Sequence, residues 1–334
     1  METLSTAVSS NDCIQPFFFT AIPARGALVK LENSFVEALN GHSYPRPVNN
    51  LLGQSLAAVC LMSTHLKFSA RLSLQARAMG SLNAQGLTED VGDAAISLML
   101  AEAEMTRFRD GTLPQRQSIR GLARLNDTAM PQSTQHQSLA SLLGQSQLAV
   151  TVEPESGERY QGIVNAQSPT LAESIEDYFV QSEQLATQLH LFANDTQAVG
   201  LLLQEMPNHG GKSERFPIGF EDQMQAQFWE EISVIARSIT SDEMFSLAAE
   251  DCLHRLFHQH AYEISEPVPV GFACSCSQER TGSALENIAM DALEAILQED
   301  GEIVMDCEFC SSRYRFDRTA VELIKMGNVP GRLN

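Results

Sequence analysis

Cys274-Ser275-Cys276 and Cys307-Glu308-Phe309-Cys310 are the stretches that decide how the C-terminal part of this chain folds. Each pair is short enough to act as one chelating claw, and a helical interlude of about one small supersecondary unit separates them. Together they predict a four-thiolate, tetrahedral zinc site, because zinc holds each sulfur at about 2.3 Å and a C-x-x-C turn presents two sulfurs to one point without strain. Four soft sulfurs gathered around a metal are also the ones most open to oxidation, and each pair is near enough in sequence to close its own disulfide. A structural zinc knuckle and a redox switch both fit the spacing.

Between the claws, Ser283 and Glu286 form a capping box that predicts one helix carrying Leu285, Ile288, Leu293, Ile296 and Leu297, with Gly301 ending it. Ile303 to Met305 and Arg313 to Phe316 predict a short ribbon around the second claw, and Thr319 to Lys325 a closing helix. A core of this size rarely supplies more than ~3–5 kcal/mol, whereas structural zinc contributes an apparent ~10–16 kcal/mol. The module is therefore expected to depend on its metal.

Immediately upstream, Met224, Phe228, Ile232, Ile235 and Ile239 are spaced for one helical face. A second helix is predicted from Thr240, with Glu243 completing a capping box and Met244, Leu247, Leu253 and Leu256 as its apolar side. These helices have too little sequence around them for a core of their own and must dock on something. His254 and His258 stand at i and i+4, but Arg255 and Leu256 follow the first, so H-E-x-x-H is absent and helix-end histidines are the plainer reading. Gly211-Lys212-Ser213 resembles the tail of a phosphate-binding loop, yet Met206 stands where its first glycine belongs.

The N-terminal part reads as one α+β unit with a largely antiparallel sheet. Strands are expected at Gly26 to Leu31, Leu66 to Leu74 and Ile119 to Arg124, and a buried helix at Leu51 to Met62. Hairpins are expected at Leu148 to Val164 and Leu189 to Met206, with a helix between them opened by the Thr170 and Glu173 capping box. Ile96 to Glu104 fits either strand or helix. The resulting division is a core at residues 1–207, a helical linker at 208–270 and a zinc-binding module at 271–334.

Acidic residues number 42 against 22 basic ones, a net charge of -20, which argues against nucleic-acid partners. No apolar run is long enough to span a bilayer, and the start of the chain lacks a basic, apolar secretory leader, so a cytoplasmic chain is expected. In that setting the 7 cysteines should be thiols or metal ligands, with Cys13, Cys60 and Cys252 buried or idle. Gly53-Gln54-Ser55 and Gly144-Gln145-Ser146 lack the second glycine of a nucleophile elbow, and a zinc held by four sulfurs has no open position for water. The chain does not read as an enzyme.

The claw spacing, with Ser277-x-Glu279-Arg280 after the first claw and Glu299-Asp300-Gly301-Glu302-Ile303 before the second, resembles the redox-regulated 33 kDa heat-shock chaperonin family. The resemblance continues through Arg25-Gly26-x-Leu28-Val29, Tyr44-Pro45-x-Pro47-Val48, Arg120-Gly121, Glu158 to Gly162, Glu176-Asp177-Tyr178-Phe179, Ser182 to Leu185 and Leu202-Leu203-Gln204. The segment from Gln75 to Gln117 is longer than the family pattern, Ala186 stands where a proline is usual, and Val199-Gly200 replaces a glycine pair.

The resemblance implies an ATP-independent holdase, idle while reduced and bound to one zinc and switched on by peroxide with heat or by hypochlorous acid. It implies that Cys274, Cys276, Cys307 and Cys310 hold the metal and that oxidation joins Cys274 to Cys276 and Cys307 to Cys310. Loss of zinc would undock the linker and offer the face of Met224, Phe228, Ile232, Ile235 and Ile239 to unfolding clients, with a homodimer as the active form. The competing expectation is a constitutive zinc-ribbon scaffold that binds partners without any switch.

Overall fold

A computed structural model of the chain describes residues 12–21, 23–79, 94–106, 116–126, 138–206 and 222–327. It divides into two compact units, Met1–Ala38 with Tyr44–Phe272, and Leu39–Ser43 with Ala273–Asn334. The Gly211-Lys212-Ser213 stretch lies outside the described residues.

The larger unit begins with β1 (Cys13–Phe19), β2 (Ala24–Leu31), α1 (Asn33–Leu39) and α2 (Arg46–Ser63). β3 (Ala70–Ala78), β4 (Ile96–Thr106), β5 (Arg116–Leu125), α3 (Leu139–Leu143), β6 (Ser146–Pro154) and β7 (Tyr160–Asn165) follow. Next come α4 (Leu171–Tyr178), a π-helical turn at Phe179–Glu183, β8 (Thr187–Ala193) and β9 (Ala198–Glu205). The linker supplies α5 (Asp222–Ala236), α6 (Ser241–Ser246), α7 (Ala249–Phe257), β10 (Tyr262–Ile264) and β11 (Val268–Phe272).

The strands form one sheet in the order β7-β6-β3-β4-β5-β11-β1-β2-β9-β8, with β10 added beside β1. Among the described residues its pairings are antiparallel, except that β11 runs parallel to β5. The α+β class and largely antiparallel sheet are as the sequence predicts, and Ile96 to Glu104 resolves as strand. What sequence reasoning missed is β11: the end of the linker returns into the middle of the sheet, pairing Val270 with Gln117 and Cys13 with Pro269.

One face of the sheet is covered by α2. Pro45 in extended conformation starts this helix and Pro47 sits in its first turn, where a missing N–H costs nothing. The helix is buried nearly all round, from Val48 through Met62. Its approach is close at Gly200 of β9, where a Cβ would stand 2.8 Å from Leu61 Cδ1 and 2.9 Å from Leu191 Cδ2, so only glycine fits. β3 starts later than its alternation suggests, because the turns that close α2 use the N–H groups of His65 and Leu66, leaving the strand to begin at Ala70.

The other face carries the linker. Phe17, Phe19, Leu28, Leu201 and Leu203 of the sheet form one cluster with Ile232, Ala236, Ile239, Met244, Leu253 and Phe257. The capping boxes at Thr170 and Thr240 form as predicted. The single helix predicted from Thr240 is instead two, broken at Leu247, whose φ of -85° and ψ of 151° are extended. Ser246 Oγ donates to Asp242 O at 2.6 Å, drawing the last turn tight, and the Leu247 side chain turns into the cluster.

Asp12, only 5 % exposed, joins three of these elements. Its carboxylate accepts from the N–H groups of Glu32 (2.8 Å), Asn33 (3.1 Å) and Ser34 (3.0 Å) and from the Ser34 hydroxyl, capping α1 from a distance in sequence. Its own carbonyl accepts from Val270 N at 2.9 Å, next to β11. Asp12→Ala should cost about 2–4 kcal/mol by leaving buried donors without an acceptor. Denaturant unfolding of the reduced protein, followed by far-UV circular dichroism, checks this; an unchanged midpoint would show that α1 is capped some other way.

Candidate metal centre

The smaller unit contains α8 (Gln278–Leu285), α9 (Met290–Asp300), β12 (Ile303–Asp306), β13 (Arg313–Phe316) and α10 (Arg318–Lys325). Its core is Leu285, Leu293, Leu297, Ile303, Phe316, Val321 and Ile324. The predicted ribbon pairs antiparallel from Ile303 with Phe316 to Asp306 with Arg313, and the closing helix is capped by Asp317 on Ala320 N at 2.8 Å.

The single helix predicted from Ser283 to Gly301 is two helices. Ser277 caps α8 through Arg280 N, Glu286 ends it, and α9 restarts at Met290. The break frees the carbonyls of Glu286 and Ile288, and the Lys325 ammonium takes both as acceptors. It also turns Ile288 and Ile296 outward, each 40 % exposed, so the predicted apolar stripe is shorter than its spacing suggests.

Cys274 and Cys276 lie between β11 and α8, and Cys307 and Cys310 at the turn between β12 and β13. Their sulfurs all fall within 4.8 Å of one another, with Cys274 Sγ 3.7 Å from Cys307 Sγ and Cys276 Sγ 3.3 Å from Cys310 Sγ. A tetrahedral Zn–S bond of about 2.3 Å requires sulfurs about 3.8 Å apart, so the donor set fits such an ion. All four are free thiols.

The turn is held by Ser311 N on Cys307 O at 2.8 Å and Cys307 N on Ser312 O at 2.9 Å, with Ser311 itself at a φ of 56°. Burial raises the Cys307 thiol, against lowering hydrogen bonds from the N–H groups of Phe309 and Cys310. Burial also pushes Cys274 up to about 12. At Cys310 burial is outweighed by the side chain and N–H of Ser312 and by the neighbouring thiols, which bring it down to about 7. Tyr314 Oη donates to Cys276 Sγ at 3.1 Å. Sequence reasoning singled out the four cysteines that the fold gathers but missed Tyr314 and Ser312, whose role is legible only once β13 is folded back on the turn.

Elsewhere among the described residues no other cluster of His, Cys, Asp and Glu has metal-binding spacing. His254 and His258 stack at 5.6 Å on α7, as helix-end histidines. Of the predicted linker face, Ile232 and Ile239 are buried, Phe228 and Ile235 are half-buried against the same cluster, and Met224 is 48 % exposed. Trp229 also packs there, off the predicted stripe. Cys60 and Cys252 are buried and Cys13 is half-buried. Cys13 lines a cavity of about 330 Å³ with Lys30, Phe245 and Leu247. In that cavity the Lys30 ammonium donates to Leu247 O at the α6–α7 break.

If zinc were bound, the four thiolates would fill its coordination sphere and leave no position for a substrate, the donor set of a structural or regulatory metal site. The family model described as Hsp33 protein matches residues 12–317. A 33 kDa chaperonin of Shewanella woodyi is 37% identical over 315 residues, spanning 94% of this chain and 96% of that one. One from Hahella chejuensis is 37% identical over 312 residues, spanning 93% and 96%. The crystal structure of the 33 kDa chaperonin of Thermotoga maritima superposes with a TM-score of 0.73 at 18% identity, covering 95% of this chain and 98% of that one. The chain belongs to the Hsp33 family, and that membership supports a chaperone function.

Proposed function

We propose that this protein is a redox-regulated, ATP-independent holdase that binds unfolding proteins after its cysteines are oxidised and its metal is lost. The observation that carries the reading is a tetrathiolate fit for zinc in a unit whose described core is seven side chains. Zinc binding contributes to the folding of so small a unit directly, and sulfurs joined as disulfides no longer hold it. Each disulfide formed, Cys274 with Cys276 and Cys307 with Cys310, passes two electrons to the oxidant.

Cys274 follows the end of β11 by two residues, and β11 closes the linker that covers one face of the sheet. Loss of order at the claw therefore begins at the linker's own anchor. Release of α5, α6 and α7 would uncover Phe17, Phe19, Leu201 and Leu203 together with the apolar side of the helices, a surface suited to unfolded chains. The active form is proposed to dimerise, and the cytoplasm, where such thiols stay reduced until stress, is the proposed compartment.

Peroxide with mild heat should release one zinc per chain, lower helix content and start suppression of aggregation of a denatured client, with thiol trapping finding the two near-neighbour disulfides. A reduced, zinc-loaded sample that already protects clients equally well would instead support a constitutive scaffold.

Lys30→Met should loosen the α6–α7 break by about 1 kcal/mol through loss of a charged hydrogen bond. Its expected signature is faster hydrogen exchange over residues 241–257 and activation at lower oxidant. Unchanged exchange would show that Lys30 does not restrain the linker.

A further inference from the structure

β8 carries a titratable group beneath the linker. His190 pairs with Leu201 across β8 and β9 and shares its sheet face with Phe192, both of which belong to the apolar cluster that α5 completes with Ile232 and Ala236. Its Nε2 is buried and has no hydrogen-bond partner among the described residues, and the same is true of Ser233 Oγ on α5 and Gln188 Oε1 on β8. Arg237, one turn beyond Ser233 and the first residue after α5, is exposed but near enough for its positive charge to act on the imidazole.

We propose that His190 makes linker docking sensitive to protons, so that mild acid opens α5 from the sheet while the metal is still bound. The inference rests on the reading of α5 to α7 as a releasable cover. An imidazolium at this position would be desolvated without an acceptor and would face a like charge. Both penalties vanish when α5 leaves.

Burial, and secondarily Arg237, holds the docked imidazole down at about 4. An exposed histidine titrates at about 6.5. A group depressed in the docked state favours docking fully above its free value and progressively less as pH falls toward its docked value. The opening equilibrium should therefore rise roughly fivefold between about pH 7.5 and about pH 5.8.

The other charged groups around α5 do not supply this response. Glu176 of α4 accepts from Leu189 N at 2.7 Å at the β8 edge and feels Arg237. His260 lies 3.7 Å from Glu231 of α5, a contact between two parts of the linker itself. Glu205 accepts from Gln225 of α5 at 2.6 Å.

The test is hydrogen exchange of the reduced, zinc-loaded full chain over residues 222–257, corrected for intrinsic rates at the two pH values, with bound zinc measured in each sample. The wild type should show the roughly fivefold rise with zinc retained. His190→Gln should abolish it, Arg237→Gln should reduce it, and His260→Gln should leave it in place. A wild type without the rise, or a rise that survives both His190→Gln and Arg237→Gln, overturns the proposal. The readout is linker opening and not client protection, so acid-opened protein that fails to hold clients would count against the holdase reading alone.

Discussion

Four sulfurs within 4.8 Å of one another cannot all carry negative charge unless a cation sits among them. Burial raises the Cys274 and Cys307 thiols, while Ser312 and the neighbouring thiols lower that of Cys310. The small unit thus gathers a charge distribution that a bound cation would complete. Its helices are short, its apolar core is slight, and two of its larger aliphatic side chains, Ile288 and Ile296, are partly in water. The turn at Cys307 to Ser312 aims the sulfurs at one point, as a metal ion would require.

The larger unit answers a different constraint, a wide sheet with two apolar faces. α2 solves one of them permanently, since it is buried on nearly every side and fits against Gly200 with no room to spare. The linker solves the other provisionally. It covers Phe17, Phe19 and Leu203 with three helices, and it leaves polar atoms on Ser233, Gln188 and His190 without partners among the described residues. A cover that gains from apolar burial but forgoes hydrogen bonds is weaker than its area suggests. That balance suits the release proposed for it.

Much of this was legible in the residues. The claw spacing singled out the four cysteines whose sulfurs the fold brings together, and period-two runs at Leu148 to Val152 and Arg159 to Val164 located a hairpin. Where reading failed, the cause was tertiary. Thr240 to Leu256 has unbroken helical periodicity, yet the Lys30 ammonium reaches across from β2 to the Leu247 carbonyl at the point where the helix breaks. Ser283 to Gly301 is likewise periodic, yet Lys325 from α10 takes the carbonyls of Glu286 and Ile288 at the break. β11 was invisible because Val268-Pro269-Val270-Gly271-Phe272 contains a proline and a glycine that argue against a central strand. It is tolerated because Pro269 faces Cys13 at the last register position of that pairing.

β11 also fixes how the linker can behave once loosened. The segment between β9 and β10 is moored at both ends in the same sheet, by the β9 ladder before it and by β10 and β11 after it. A doubly moored segment cannot drift away as a free tail would. Released as proposed, it would swing out as a closed span, and its local concentration against the face it left would stay high. Re-covering is then an intramolecular event that needs no unfolding of the sheet, so anything occupying the uncovered face must outcompete a tethered rival that never leaves the neighbourhood.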